Sequence, residues 1–188
     1  GSWYWYYDNN QMKEEASYEN GKLNGQNKEY TRDGVMTLNA SYKDGKTEGG
    51  YYSYYSTGQL EEHSTYKNGE RNGEAKVYFR NGSRKYSVMY KDGEKTHYKA
   101  YFNNDSLYEV YAMKDGNAVG DYICYYNNGR VQSKGKYTDD KADGPWVYYY
   151  RNGNKKYEGT YVNGKAVGVW NYYHTNGAFE HKEEYDED

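Results

Sequence analysis

Tyrosine returns along this chain on a fixed beat, and that beat constrains the fold more than any other feature. Aligned on the residue that leads into a turn, Tyr18, Tyr42, Tyr66, Tyr90, Met113, Tyr137, Tyr161 and Tyr185 are 24 residues apart, with a single step of 23. A second tyrosine follows half a period later in every copy: Tyr30, Tyr54, Tyr78, Tyr101, Tyr125, Tyr149 and Tyr173. Glycines keep the same time. A turn glycine recurs at Gly21, Gly45, Gly69, Gly93, Gly116 and Gly164, and a second at Gly25, Gly49, Gly73, Gly120, Gly144 and Gly168. A third recurs at Gly34, Gly58, Gly82, Gly129, Gly153 and Gly177. Asp140 stands in the first series, and Asn10 and Asp105 stand in the third, residues that tolerate a left-handed backbone better than most. Self-similarity at such a period marks a tandem-repeat architecture.

The repeat divides residues 3–185 into one continuous domain. A leading half-unit, 3–17, precedes units 18–41, 42–65, 66–89, 90–112, 113–136, 137–160 and 161–184. Unit 90–112 carries the one-residue deletion, beside His97, and is the least regular. Gly1-Ser2 reads as the scar of a removed tag, and residues 185–188 as an acidic tail that shields the last strand.

Each unit holds two short extended runs between turns. WNYYH (170–174) and WVYYY (146–150) are aromatic and too short for a helix, and they end at Asn176-Gly177 and Asn152-Gly153. Asn-Gly is the strongest short hairpin signal, because both central positions of a type I′ turn want φ > 0. The return runs, such as FEHKEEY (179–185) and KKYEGTY (155–161), are more polar. Glycine interrupts too often for helices to form. The expected fold is all-β: tandem hairpins of about 24 residues joined into an elongated, twisted, single-layer antiparallel sheet of about 15 or 16 strands. Each hairpin is marginal alone, so stability comes from neighbour-to-neighbour packing of equivalent rings.

Composition fits a thin sheet. Thirty tyrosines stand against three phenylalanines and four tryptophans, and the mean hydropathy is strongly polar. A tyrosine ring packs while its hydroxyl stays wet. A net charge of −3 argues against a nucleic-acid or anionic-membrane binder. The lone cysteine, Cys124, excludes an internal disulfide and reads as a small packed side chain. His63, His97, His174 and His181 fall at unrelated positions and read as surface residues rather than metal ligands. The chain is therefore expected to be no enzyme, and to need neither metal nor cofactor. The distinctive surface is an aromatic ladder, with Trp3, Tyr51, Tyr55, Tyr122, Tyr126, Trp146, Tyr150 and Trp170 as candidate binding residues.

The run Tyr161, Gly164, Lys165, Gly168, Trp170, Tyr172, Tyr173 resembles the MORN repeat in its bacterial variant form, and the resemblance covers residues 3–185. Bacterial proteins of that kind carry the label YwqK-type antitoxin, which implies binding and neutralising a protein partner. Eukaryotic MORN proteins imply membrane-proximal scaffolding. The reading that follows is a protein-binding repeat scaffold of the antitoxin or immunity kind. Two alternatives stand beside it: a glycan- or cell-wall-binding aromatic module, suggested by WYWYY (3–7), and a lipid-surface MORN scaffold. Open end strands also allow self-association. An antitoxin would be cytoplasmic; a leader removed ahead of Trp3 would place the protein in the envelope or outside the cell.

Overall fold

The computed structural model describes residues 1–186; the last two residues of the acidic tail, 187 and 188, lie outside it. The chain forms two compact units, Gly1–Glu94 and Lys95–Asp188, and the division falls inside the irregular repeat 90–112.

The first unit carries β1 (Ser2–Tyr6), β2 (Met12–Glu19), β3 (Lys22–Tyr30), β4 (Met36–Lys43), β5 (Lys46–Tyr54), β6 (Leu60–Lys67), β7 (Glu70–Arg71), β8 (Gly73–Tyr78) and β9 (Arg84–Lys91). The second carries β10 (Glu94–Tyr101), at whose head the division falls, then β11 (Leu107–Lys114), β12 (Asn117–Tyr125), β13 (Val131–Thr138), β14 (Lys141–Ala142), β15 (Gly144–Tyr149), β16 (Lys155–Val162), β17 (Lys165–Tyr173) and β18 (Phe179–Tyr185). Among the described residues there is no helix. In each unit consecutive strands pair antiparallel into an open sheet; the first unit opens with Trp3↔Ala16 and the second closes with Trp170↔Glu183. The short β7 and β14 are the first halves of runs that continue as β8 and β15 and pair with the same neighbours, β6 and β13. This is the expected all-β hairpin sheet.

The two kinds of turn exchange the roles expected of them. The two-residue type I′ turn lies after the first tyrosine, as at Asn20-Gly21 (φ 50 and 75) and Asn163-Gly164 (φ 51 and 85), closed by Glu19↔Lys22 and Val162↔Lys165. The Asn176-Gly177 turn is longer. His174 N donates to Ala178 O at 2.8 Å and Gly177 N donates to His174 O at 2.8 Å, so three residues span the gap and only Gly177 is left-handed (φ 89). That is the three-residue hairpin loop with a bulge, and Asn176 serves it through its side chain, accepting from Ala178 N at 2.9 Å. Asn10, Asp105 and Asp140 hold φ of 64, 63 and 63, so each preserves its glycine's turn.

The second glycine is not turn punctuation. Gly168 sits inside β17 at φ 64, where the register against β16 slips between Glu158 and Thr160, yet it pairs with Tyr185 on its other edge. It is a bulge, and the left-handed glycine recurs in every full repeat except 90–112.

Neighbouring hairpins are tied together at both kinds of turn. At the I′ end, the turn amide donates one repeat back: Gly45 N to Leu23 O and Gly69 N to Thr47 O in the first unit, Gly164 N to Ala142 O in the second, at 2.8–2.9 Å. At the long-loop end, a tyrosine hydroxyl donates one repeat forward. Tyr7 reaches Tyr30 O at 2.8 Å, Tyr55 reaches Tyr78 O at 2.7 Å, Tyr126 reaches Tyr149 O at 2.7 Å and Tyr150 reaches Tyr173 O at 2.9 Å. Those four carbonyls belong to residues of the second tyrosine series. Each link is worth roughly 1 kcal/mol, and the sum accumulates along the chain.

Candidate functional site

One row of side chains crosses each sheet at mid-strand and holds most of what is buried. In the first unit it runs Trp3, Ala16, Asn27, Ala40, Tyr51, Ser64, Ala75, Val88. In the second it passes through Tyr111, Tyr122, Gly135, Trp146, Gly159 and Trp170. Small and large alternate around the rings except where Tyr111 pairs with Tyr122. A Cβ on Gly135 would lie far inside contact distance of the Trp146 indole, and one on Gly159 equally so against Trp170. Neither glycine has a left-handed backbone, so what they supply is room.

This row decides the standing of the candidate ladder. Trp146 and Trp170 are each 3 % exposed. Tyr122, Tyr137, Tyr148 and Tyr161 surround Trp146 with centroids at 5.3–5.9 Å, and its Nε1 donates to Lys136 O at 3.2 Å. These two indoles are the inside of the sheet and are not free to meet a partner. Tyr51 and Tyr122 are half-buried in the same row. Trp3 is 60 % exposed on β1 and stacks on Trp5 at 6.4 Å. Tyr55 in the first unit, and Tyr126 and Tyr150 in the second, stand apart from this row at the long-loop ends of their hairpins. They are half-buried, anchored by the hydroxyl links above, and covered by cations: the Arg80 guanidinium is 4.9 Å from the Tyr55 ring, that of Arg151 is 5.3 Å from Tyr126, and Lys156 Nζ is 5.8 Å from Tyr150. The structural turn glycines Gly21, Gly45, Gly69, Gly93, Gly116 and Gly164 all sit at φ between 75 and 87.

The remaining candidates are scattered. His63 lies flat on Tyr52 at 4.5 Å and His181 on Tyr172 at 4.7 Å. His174 and His181 both approach Glu180, at 3.8 and 4.0 Å. Cys124 is buried, and burial raises its thiol above the usual range.

Two features escaped the sequence reading. The small residue two positions before the first tyrosine (Ala16, Ala40, Ser64, Gly135, Gly159) keeps the same period, and at Ala40, Gly135 and Gly159 it is the floor on which the next ring sits. The other is an ion pair. Arg71 Nη2 meets Glu62 Oε1 at 2.5 Å, Nε donates to Tyr66 OH at 3.0 Å, and the guanidinium lies 5.7 and 5.5 Å from the Tyr66 and Tyr90 rings. Glu62 Oε1 also accepts from Ser64 Oγ at 2.9 Å. Only the period, with Glu62 and Arg71 at fixed offsets from Tyr66, could have brought them together.

The packed tyrosines give the fold an alkaline limit. Burial first, and then the Glu109 charge, push the Tyr111 phenol up to about 12; burial also leads the upward shifts of Tyr51, Tyr86, Tyr137 and Tyr157. A phenol raised in the folded state contributes stability that is fully present below its unfolded value near 10 and is lost as pH climbs through the folded value. Tyrosinate absorbance against pH is therefore expected to show a late class that ionises in step with loss of the sheet signal. A single transition near 10 with the sheet intact is the opposite outcome.

Residues 1–20, 47–68, 71–92, 118–139 and 142–163 match the family described as MORN repeat variant. The chain belongs to that family. Each internal match begins just past one I′ turn, crosses the long loop and ends at the next I′ turn, so the MORN variant repeat here is one hairpin, such as β5–β6 or β12–β13. No curated protein matches the chain. Among solved structures, the crystal structure of TcdB2-TccC3-Cdc42 aligns with 96 % of this chain at 9 % identity and a TM-score of 0.23. That of TcdB2-TccC3 aligns with 96 % at 9 % identity and a TM-score of 0.21. The chain spans 15 % of the length of each of those chains.

Proposed function

We propose that this MORN-variant chain is a non-enzymatic protein-binding scaffold of the antitoxin or immunity kind, holding a partner protein against its repeated face. The observation that supports this reading is the neighbouring pair Tyr126 and Tyr150 in the second unit, with Tyr55 built the same way in the first. Each ring is half-exposed, yet its hydroxyl is fastened to the neighbouring hairpin, at 2.7–2.9 Å. Aromatic side chains fixed before binding bury area without losing rotamer entropy, which is what interface hot spots do. Each ring also carries its own cation, Arg80 over Tyr55, Arg151 over Tyr126 and Lys156 over Tyr150, so charged and aromatic groups adjoin as they do at interfaces.

The test is co-expression with the product of the neighbouring gene. A stoichiometric complex that survives size exclusion, together with relief of the partner's toxicity, is the expected result. Separate elution at low and high salt with toxicity undiminished would overturn the reading.

A further inference from the structure

The repeats at Glu62 and Glu109 are built alike, and one of them is missing its cation. Glu62 lies opposite Val77, and Arg71 lies opposite Tyr66. One repeat pair later, within the second unit, Glu109 lies opposite Cys124 and Ala118 lies opposite Met113, the same registers. The position that holds the Arg71 guanidinium thus holds a methyl group at Ala118. In its place is a cavity of about 230 Å³ lined by Glu109, Tyr111, Ala118, Tyr122, Tyr137 and Asp140.

The walls of this cavity suit a guanidinium. Tyr137 is the equivalent of Tyr90, whose ring lies 5.5 Å from Arg71. Tyr111 and Tyr122 replace Ser64 and Ala75 and add two faces, with ring centroids 6.1 Å apart. Met113 stands where Tyr66 stood. Tyr122 OH donates to Glu109 Oε2 at 3.0 Å, which fixes the carboxylate. Among the described residues, Glu109 has no ion-pair partner, and its Oε1 accepts no hydrogen bond. Asp140 adds a second carboxylate at the rim, held by Ala118 N at 2.6 Å. Aromatic faces beside a carboxylate favour a cation, and the flat, forked guanidinium more than an ammonium.

We propose that this cavity is an arginine-binding site, filled by an arginine side chain of the protein partner in the place that Arg71 fills from within the chain. The source of the arginine rests on the scaffold reading above; the site itself rests on the empty twin of an occupied one. The partner's arginine enters past Tyr111, lies against the Tyr137 ring as Arg71 lies against Tyr90, and takes Glu109 Oε1.

The experiment titrates the whole chain with L-argininamide, following the Ala118 amide by NMR. Saturable shifts at Ala118, Tyr122 and Tyr137 are expected in about the millimolar range, as suits one side chain. Citrulline amide, which keeps the shape without the charge, is expected to bind at least about tenfold more weakly, and so is argininamide to Glu109→Gln. Ala118→Arg is expected to fill its own cavity, abolishing the shifts while raising the midpoint of unfolding. Shifts absent with argininamide, or equal with citrulline amide or lysinamide, would overturn the site. So would undiminished binding by Glu109→Gln. Because the probe is a small molecule, the site is tested whether or not the neighbouring gene product binds, and an absent complex with intact argininamide binding would overturn only the scaffold reading.

Discussion

Gly159→Ala is expected to destabilise the second unit by about 3 kcal/mol, an unusually large effect for one methyl group on an extended backbone. On backbone grounds alone the change should help, since alanine restricts the unfolded chain and Gly159 does not need a left-handed φ. Sterics decide the sign. The new Cβ points into the Trp170 indole, which is 3 % exposed and closed in by Tyr157, Tyr161 and Tyr185 at 4.9–6.1 Å. The ring cannot retreat without displacing three others, in a layer as tightly packed as any interior. Gly135→Ala is expected to act the same way through Trp146. The chain supplies its own rescue. Ala40 lies opposite Tyr51 in the equivalent rung, so an alanine floor is compatible with a smaller ring. Gly159→Ala combined with Trp170→Tyr should recover about half of the loss, against simple additivity. Urea unfolding, with hydrogen exchange of residues 155–173 to localise the change, measures both. Equal stability of Gly159→Ala and the parent would mean that the indole does not rest on that glycine.

The same pair of residues shows where sequence reading succeeds and where it stops. Turn and strand positions were legible because they are written in local chemistry: Asn-Gly pairs, alternation and a period. The β18 run Phe179–Tyr185 was legible to the residue. The locations of the two turn types were not, because Asn-Gly serves both. In one it supplies two left-handed residues; in the other it supplies one, plus a side-chain acceptor, as at Asn176. Burial was legible only in part. Trp146 and Trp170 read as outward-facing aromatics because a one-layer sheet has no second layer to bury them. Their burial comes from neighbouring tyrosines on the same face, closing over a glycine floor. That arrangement couples residues 11 apart across strands, and no single strand's pattern contains it. The Ala118 cavity was invisible for a related reason: a missing side chain carries no signal until its counterpart, Arg71, is seen in place.

Arg71→Ala is expected to cost the first unit about 2 kcal/mol, the second large effect. Arg71 and Glu62 have side chains 33 % and 19 % exposed, so the pair is neither fully screened nor fully buried. Removing the guanidinium leaves the Glu62 carboxylate with only the Ser64 hydroxyl, and strips Tyr66 of its partner and Tyr90 of its cation. Most of the penalty is the stranded charge, and this makes the prediction specific. Arg71→Ala with Glu62→Gln should be more stable than Arg71→Ala alone by about 1 kcal/mol, because the neutral amide no longer needs a counter-ion. Arg71→Lys should retain only part of the parent stability, since an ammonium cannot bridge Glu62 and Tyr66 while stacking over two rings. Urea midpoints of the four proteins decide it. A double variant no more stable than Arg71→Ala would show that the pair is not a unit, and that the guanidinium acts by packing on Tyr66 and Tyr90 alone. The recovery expected instead would show that the carboxylate at this register draws a cation to itself, which is the demand that Glu109 makes with no arginine of its own to meet it.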